Sequence, residues 1–230
     1  MMKLTQPACK FCKGSESSLF SCCTPEEHEK LGLAKSCNFY KKGQPIFQEN
    51  SMPVGLYCVS EGLVKITKLG SNGKEQILRI AKPGDIFGYQ SLIKNSRYKA
   101  SSIAIEDSSI CFVPKSQFNE LLTNNKAFYD GIMRLLCDTI ESAETKITDI
   151  AYKPVRGRIA EALILLDRAF EGKEHITLTR EDLAGLVGTV KETAIRIISE
   201  FKHEKLIEIN KRSIKVINQE GLMKISHLYD

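Results

Sequence analysis

A chain of 230 residues with 42% apolar composition can fill one large domain or two ordinary ones, and it is too apolar for a disordered protein. Its net charge of +5 is mild, and residues 154–230 balance 13 basic against 12 acidic groups, so charge alone does not point to nucleic acid. No apolar run approaches the roughly 20 residues needed to cross a bilayer, and the N-terminus lacks the apolar stretch of a secretory signal. A cytoplasmic protein with no membrane partner is expected.

Eight cysteines stand at Cys9, Cys12, Cys22, Cys23, Cys37, Cys58, Cys111 and Cys137, four of them within the first 23 residues. In a cytosolic protein such clustering points to metal or redox chemistry rather than to a disulfide scaffold.

A short helical stretch is expected from about Pro25 to Ala34. The chain then becomes a series of short β-type runs, NFYKKGQPIF, GLYCVSEGLVKITKLG, EQILRIAKPGDIFG and ASSIAIEDSSICFVP. Turn signals at Gly43, Gly55, Gly62, Ser71-Asn72-Gly73 and Pro83-Gly84 recur at the spacing of an antiparallel barrel or roll over roughly Asn38–Pro114.

Helical periodicity takes over from Gln117. From Tyr129 the apolar positions fall at Tyr129, Met133, Leu136, Ile140, Ala143, Ile147 and Ile150. Alternating steps of four and three are the a/d seam of a coiled coil, which predicts dimerisation through this helix. A helix lying on its own β-roll is the competing reading. Lys153-Pro154 ends the helix, because proline disfavours helical geometry in the residue before it.

Beyond that boundary a helix is expected from Arg156 to Phe170, then a short strand from His175 to Leu178. Thr179 reads as the N-cap of a helix over Arg180–Val187, with Glu181 and Asp182 in the first turn where the helix dipole favours them. Gly188 breaks that helix, Thr189 reads as the cap of the next, and Val190–Lys205 continues it. The run LIEINKRSIKVIN alternates with period two around a polar turn at Asn210–Ser213, a hairpin of wing size.

The segment TREDLAGLVGTVKETAIRIISEF has the internal order of a helix-turn-helix. Small Ala184 lets two helices approach, Gly188 turns the chain, and Leu183, Val187, Ala194, Ile197 and Ile198 bury the inner faces. The second helix then presents Lys191, Glu192, Thr193 and Arg196 at the end that enters a major groove. Arg196 can bond guanine O6 and N7, and Glu192 can accept from cytosine N4. Thr179, Arg180, Thr189, Lys191 and the wing residues Lys211 and Arg212 complete the candidate DNA-contacting set, mostly through phosphates. An intrahelical Glu192–Arg196 ion pair is the plainer alternative. Outside the cysteines no acid, base and nucleophile set converges, so an enzyme is not expected.

The chain resembles the CRP/FNR family of bacterial regulators. The likeness is carried by GLYCVSEGLVKITK, AKPGDIFGYQSL, SSICFVPKSQF and LTREDLAGLVGTVKETAIRIISEF. It implies an α+β chain with an N-terminal double-stranded β-helix, a jelly-roll of the cyclic-nucleotide-binding type. A long dimerisation helix and a C-terminal winged helix-turn-helix would follow. The domains would be residues 1–153, the sensor (cysteine-rich arm 1–24, β-roll about 25–125, helix about 126–153), and 154–230, the DNA-binding domain. It also implies a homodimer reading a palindrome with a TGA-like core, and RNA polymerase as protein partner.

Members that bind cyclic nucleotides place a glutamate and an arginine where this chain has Tyr89 and Tyr98, with Arg97 one residue out of register and Lys99 beside it. That departure argues against cyclic AMP. The oxygen-sensing branch holds a [4Fe-4S] cluster on three N-terminal cysteines and a fourth on a late β-roll strand. The resemblance places Cys111 at that fourth ligand and Cys9 and Cys12 at the leading pair, with Cys22 or Cys23 as a third at unusual spacing. Zinc, a thiol–disulfide switch, a small molecule in the β-roll, or no function for the cysteines remain open beside the cluster. A metal-carrying protein without DNA function is the rival from another class.

Overall fold

The computed structural model describes residues 18–71, 73–170, 176–211 and 213–227. A 3-10 turn, Leu19–Cys22, leads to α1, Pro25–Ala34. Thr24 and Glu27 close a reciprocal capping box there: the Thr24 hydroxyl accepts from Glu27 N, and the Glu27 carboxylate accepts from Thr24 N at 2.8 Å.

Eight strands follow: β1 Ser36–Tyr40, β2 Pro45–Phe47, β3 Gly55–Glu61, β4 Val64–Leu69, β5 Glu75–Ala81, β6 Ile86–Phe87, β7 Ser101–Ala104 and β8 Ser108–Pro114. A short α2, Tyr89–Ile93, lies between β6 and β7. The strands form two four-stranded sheets, ordered β1-β8-β3-β6 and β2-β7-β4-β5. This is the expected β-roll of the α+β fold, starting two residues earlier than the sequence reading put it. Gly55 is required where β3 meets β8, because a Cβ there would collide with the Phe112 ring and the Val113 carbonyl.

β8 runs directly into α3, Lys115–Asn124, and α4, Lys126–Tyr152, follows. At 27 residues α4 is about 40 Å long. It packs onto the roll with Phe128 and Ile132, which are buried among Phe20, Leu31, Phe118 and Leu121. The Phe128 ring sits 5.7 Å from Phe20 and 6.0 Å from Phe118, at separations that favour aromatic pairs. Residues 18–23, read from the sequence as part of the cysteine-rich arm 1–24, are therefore docked: Phe20 and Cys23 belong to this core.

The C-terminal part comprises α5 Val155–Ala169, α6 Arg180–Val187, α7 Lys191–His203, the hairpin β9 Ile207–Asn210 and β10 Ser213–Val216, and α8 Gln219–His227. In place of the strand expected over 175–178, the described residues hold one bridge, Ile176 to Ile214, that extends the hairpin. Helix α8 was not foreseen. It starts where the Asn218 side chain accepts from Gly221 N at 2.8 Å, and it buries Leu222.

The chain divides into two compact units. One comprises residues through Lys68 together with Leu78–Thr139. The other comprises Leu69–Ile77 together with the chain from Ile140 onward. Within the second unit Lys146 of α4 donates to the Ile77 carbonyl at 2.7 Å, and burial pushes its ammonium down to about 8. None of the described helices is long and apolar enough to cross a membrane.

Candidate nucleic-acid interface

Three sequence features build the turn between α6 and α7. Thr179 caps α6, its hydroxyl accepting from Asp182 N at 3.0 Å and donating to Asp182 Oδ2 at 2.6 Å. Gly188 ends α6 in the left-handed region, with φ 71°. The packing faces are as the spacing predicts: Leu183, Ala184 and Val187 of α6 and Ala194, Ile197 and Ile198 of α7 are buried, and Phe201 of α7 joins them.

The start of α7 differs from expectation. Val190, not Thr189, is its N-cap, and it makes no side-chain capping bond. Thr189 instead belongs to the turn, donating its backbone N–H to Ala184 O at 3.0 Å. Its hydroxyl sits one residue too early to reach the first free amides of the helix. A residue the sequence reading passed over holds the turn from behind: the Arg158 guanidinium of α5 donates to the carbonyls of Val187, Gly188 and Lys153. Burial lowers the Arg158 pKa, while the Asp149 carboxylate acts in the opposite sense.

On the outer face Lys191, Glu192 and Arg196 are exposed and Thr193 is half-buried. They share the N-terminal two turns of α7, as a major-groove helix requires. Arg196 pairs with Glu200 at 2.5 Å rather than with Glu192. Glu200 also accepts from Arg156 of α5 at 2.9 Å, and Arg156 bonds Glu204 and lies 4.7 Å over the Phe201 ring. Glu200 thus draws Arg196 back along its own helix and leaves Glu192 free of that pair. Its spacing of four from Arg196 was the available signal.

Among the proposed phosphate contacts, Lys211 is exposed at the tip of the wing with φ 52°, and Arg212 lies outside the described residues. Arg180 is half-buried. Burial lowers its pKa, and one terminal nitrogen is enclosed without a hydrogen-bond partner. Thr179 spends its hydroxyl on the cap.

Of the a/d positions on α4, Tyr129, Met133, Ile140, Ala143, Ile147 and Ile150 are exposed on the single chain, and Leu136 is partly packed against the roll. Ile140 and Ile147 are 59% and 68% exposed, values that an internal packing role does not explain. Phe128 and Ile132 fasten the helix to its own roll, with Leu135 and the seam residue Leu136 packed beside them.

Aromatics fill the interior of the roll. Phe47 stacks on Tyr98 at 3.8 Å and lies 5.5 Å from Tyr57, which stacks on Phe87 at the same spacing. Tyr89 is 1% exposed, and its hydroxyl meets Thr139 of α4 at 3.0 Å. Arg97 is committed to the Asn50 carbonyl at 2.8 Å. Outside the roll a cleft of about 420 Å³ is lined by residues including Cys22, Arg79, Asp85, Arg134 and Asp138.

Cys111 is bonded to Cys37 in a disulfide across β1 and β8. Cys22 is half-buried, directs its thiol to the Leu19 carbonyl at 3.1 Å, and has its pKa raised by burial. Cys23 is buried in the core, and Cys9 and Cys12 lie outside the described residues. Among the described residues no group of three or more histidine, cysteine or acidic side chains is arranged to hold a metal ion.

Two domain families match this chain, a cyclic nucleotide-binding domain over residues 37–125 and a Crp-like helix-turn-helix domain over residues 157–225. The chain belongs to the CRP/FNR family of transcription regulators. It is 26% identical over 200 residues to the cyclic AMP receptor protein of Thermus thermophilus, covering 87% of this chain and 92% of that protein. It is 26% identical over 192 residues to the fumarate and nitrate reduction regulatory protein of Vibrio cholerae, covering 81% of this chain and 76% of that one. FixK2 from Bradyrhizobium japonicum has the same fold, with a TM-score of 0.75 and 24% identity over 83% of this chain and 96% of its own. The relatives are regulators, not enzymes, and the helix-turn-helix makes this CRP/FNR chain a DNA-binding protein.

Proposed function

We propose that this CRP/FNR regulator works in the cytoplasm as a homodimer. Its two α7 helices would enter successive major grooves about one helical turn apart and read a palindromic site. The observation that carries this reading is the exposed apolar seam of α4, which has the heptad spacing of a two-stranded coiled coil and no charged residue at its a/d positions. Lys191, Glu192, Thr193 and Arg196 read or hold the half-site, with Arg196 on a guanine; Lys211 and Arg212 of the wing reach phosphates. RNA polymerase is the proposed protein partner at the promoter.

The signal is proposed to enter through the thiols of the sensor. The filled aromatic interior of the roll and the engagement of Arg97 by Asn50 weigh against cyclic AMP. A [4Fe-4S] cluster on Cys9, Cys12, one of Cys22 and Cys23, and Cys111 does not fit the chain as folded here, because the Cys111 sulfur is already bonded to Cys37 and a cluster needs thiolates. The cluster reading therefore applies to a chain in which that disulfide has been reduced. Zinc carries the same requirement where Cys111 is one of its ligands.

Anaerobic purification under a dithiol reductant, followed by absorbance and iron, sulfide and zinc assays, tests the signal. Broad absorbance near 400 nm with about four irons per chain supports the cluster; a colourless, iron-free chain removes it. Salt-dependent binding to duplex DNA tests the regulator separately: weak binding unaffected by salt would overturn it.

A further inference from the structure

Three cysteines from distant parts of the sequence stand side by side in the sheet β1-β8-β3-β6. Cys111 on β8 is the register partner of Cys37 on β1 and of Cys58 on β3. Residues directly opposite one another in antiparallel strands project from the same face, so the three sulfurs share one face in a row with Cys111 at its centre. All three are 8% exposed and belong to one apolar cluster, together with Cys23.

The two pairings of Cys111 are of different kinds. A residue in an antiparallel sheet exchanges its backbone bonds with one neighbour only. The Cα separation of 4.0 Å marks Cys37–Cys111 as the close, non-hydrogen-bonded pair. Cys58–Cys111 is then the hydrogen-bonded pair, with a Cα separation of about 5.5 Å expected, inside the range that disulfides span. Its Cα separation suits a disulfide, and its wider Cβ spacing is closed by a local shift of β3 toward β8.

We propose that Cys111 is the central sulfur of an internal thiol–disulfide exchange site, with Cys37 and Cys58 as its alternative partners. The reaction is the attack of the Cys58 thiolate on the Cys111 sulfur. The Cys58–Cys111 bond forms, the Cys37–Cys111 bond breaks, and Cys37 leaves as the thiolate, taking up the proton that Cys58 gave up. No oxidant or reductant is consumed. Such displacement runs along the axis of the breaking bond, so the Cys58 thiol, which donates to the Val59 carbonyl at 3.8 Å in this structure, must rotate toward Cys111 before it attacks.

The exchange has a structural consequence. In the first pairing the edge strand β1, and α1 just before it, are covalently tied to β8, which continues into α3. In the second, β1 is held by its ladder and packing alone. Cys111 has no thiolate in either pairing, so the exchange does not depend on metal binding.

The test uses the full-length protein oxidised with diamide. Oxidised wild type is incubated with N-ethylmaleimide at pH 7.5 and mapped by peptide mass spectrometry without reduction. Cys37 should become labelled over time as Cys58–Cys111 accumulates, and in Cys58→Ser this labelling should fall at least tenfold. Equal Cys37 labelling in wild type and Cys58→Ser, or no Cys37–Cys111 peptide in oxidised wild type, would overturn the proposal. In Cys37→Ser, with its fold checked by circular dichroism, diamide should join Cys58 to Cys111 in most chains. A folded variant in which both stay alkylatable would also overturn it.

Discussion

Replacing Arg196 with alanine isolates the residue on which base reading rests. A bidentate arginine–guanine contact contributes roughly 1 to 3 kcal/mol of discrimination. In the free protein Arg196 is tied to Glu200 in an exposed pair four residues apart, worth about 0.3–0.5 kcal/mol, and reaching the base forfeits that pair. The net loss on mutation is therefore roughly 0.5 to 2.5 kcal/mol per half-site, or about 1 to 5 kcal/mol for a symmetric dimer with both heads altered. This corresponds to a loss of roughly five-fold to several thousand-fold in affinity for the selected site. Arg196 is 66% exposed and α7 is packed through its opposite face, so stability should change by less than about 0.5 kcal/mol. Binding-site selection with wild type and Arg196→Ala, followed by fluorescence-anisotropy titrations on duplexes with the guanine kept or exchanged, measures the effect. Wild type should distinguish the two duplexes and Arg196→Ala should not. A variant that keeps the guanine preference would refute the role of Arg196 and the proposed orientation of α7.

Thr179→Ala removes a cap that bonds Asp182 twice and should lower stability by about 1 kcal/mol, read as a fall in thermal midpoint. An unchanged midpoint would mean that water replaces the cap without loss. Lys146→Met gives a pH signature. Because the folded pKa of Lys146 is lowered to about 8 from 10.5, the folded state binds fewer protons than the unfolded one between those values, and wild-type stability gains as pH rises through that window. Denaturant midpoints at pH 7 and 9.5 should show any advantage of Lys146→Met shrinking at the higher pH, and a constant difference would contradict the burial argument. Ile147→Asp puts a charge in the exposed seam of α4 and should yield monomers in sedimentation velocity, with DNA affinity falling accordingly. A dimeric variant would mean that α4 is not the interface.

Local patterns were the readable part of this fold. The helix over Pro25–Ala34, the glycine-punctuated strands, the helix Arg180–Val187 with its Thr179 cap, and the turn at Gly188 all depend on residues within a few positions of one another. Periodicity and capping report those directly. What escaped the sequence depends on distant partners. Cys37 and Cys111 are 74 residues apart and meet only because β1 pairs with β8. Phe20 and Cys23 look like members of the cysteine-rich arm until α4 brings Phe128 into one core with them. Arg158 holds the α6–α7 turn from another helix. Glu200 claims Arg196 although Glu192 is equally spaced, and it shares its carboxylate with Arg156 of α5, a choice that local spacing does not encode. Helix α8 is short, and its Asn218 start follows so closely on the wing that the period-two pattern hid it. At the interface, Lys191, Glu192 and Arg196 were legible as an outward-facing set. The partial burial of Arg180 was not, since it depends on packing that local spacing does not encode.

The central claim is that two chains read one DNA site together. The most direct measurement is sedimentation equilibrium of the full-length protein on a selected palindromic duplex, at two salt concentrations. Two chains per duplex are expected, with binding that weakens steeply as salt rises and loss of that stoichiometry when one half-site is scrambled. One chain per duplex, indifferent to the second half-site, would contradict it.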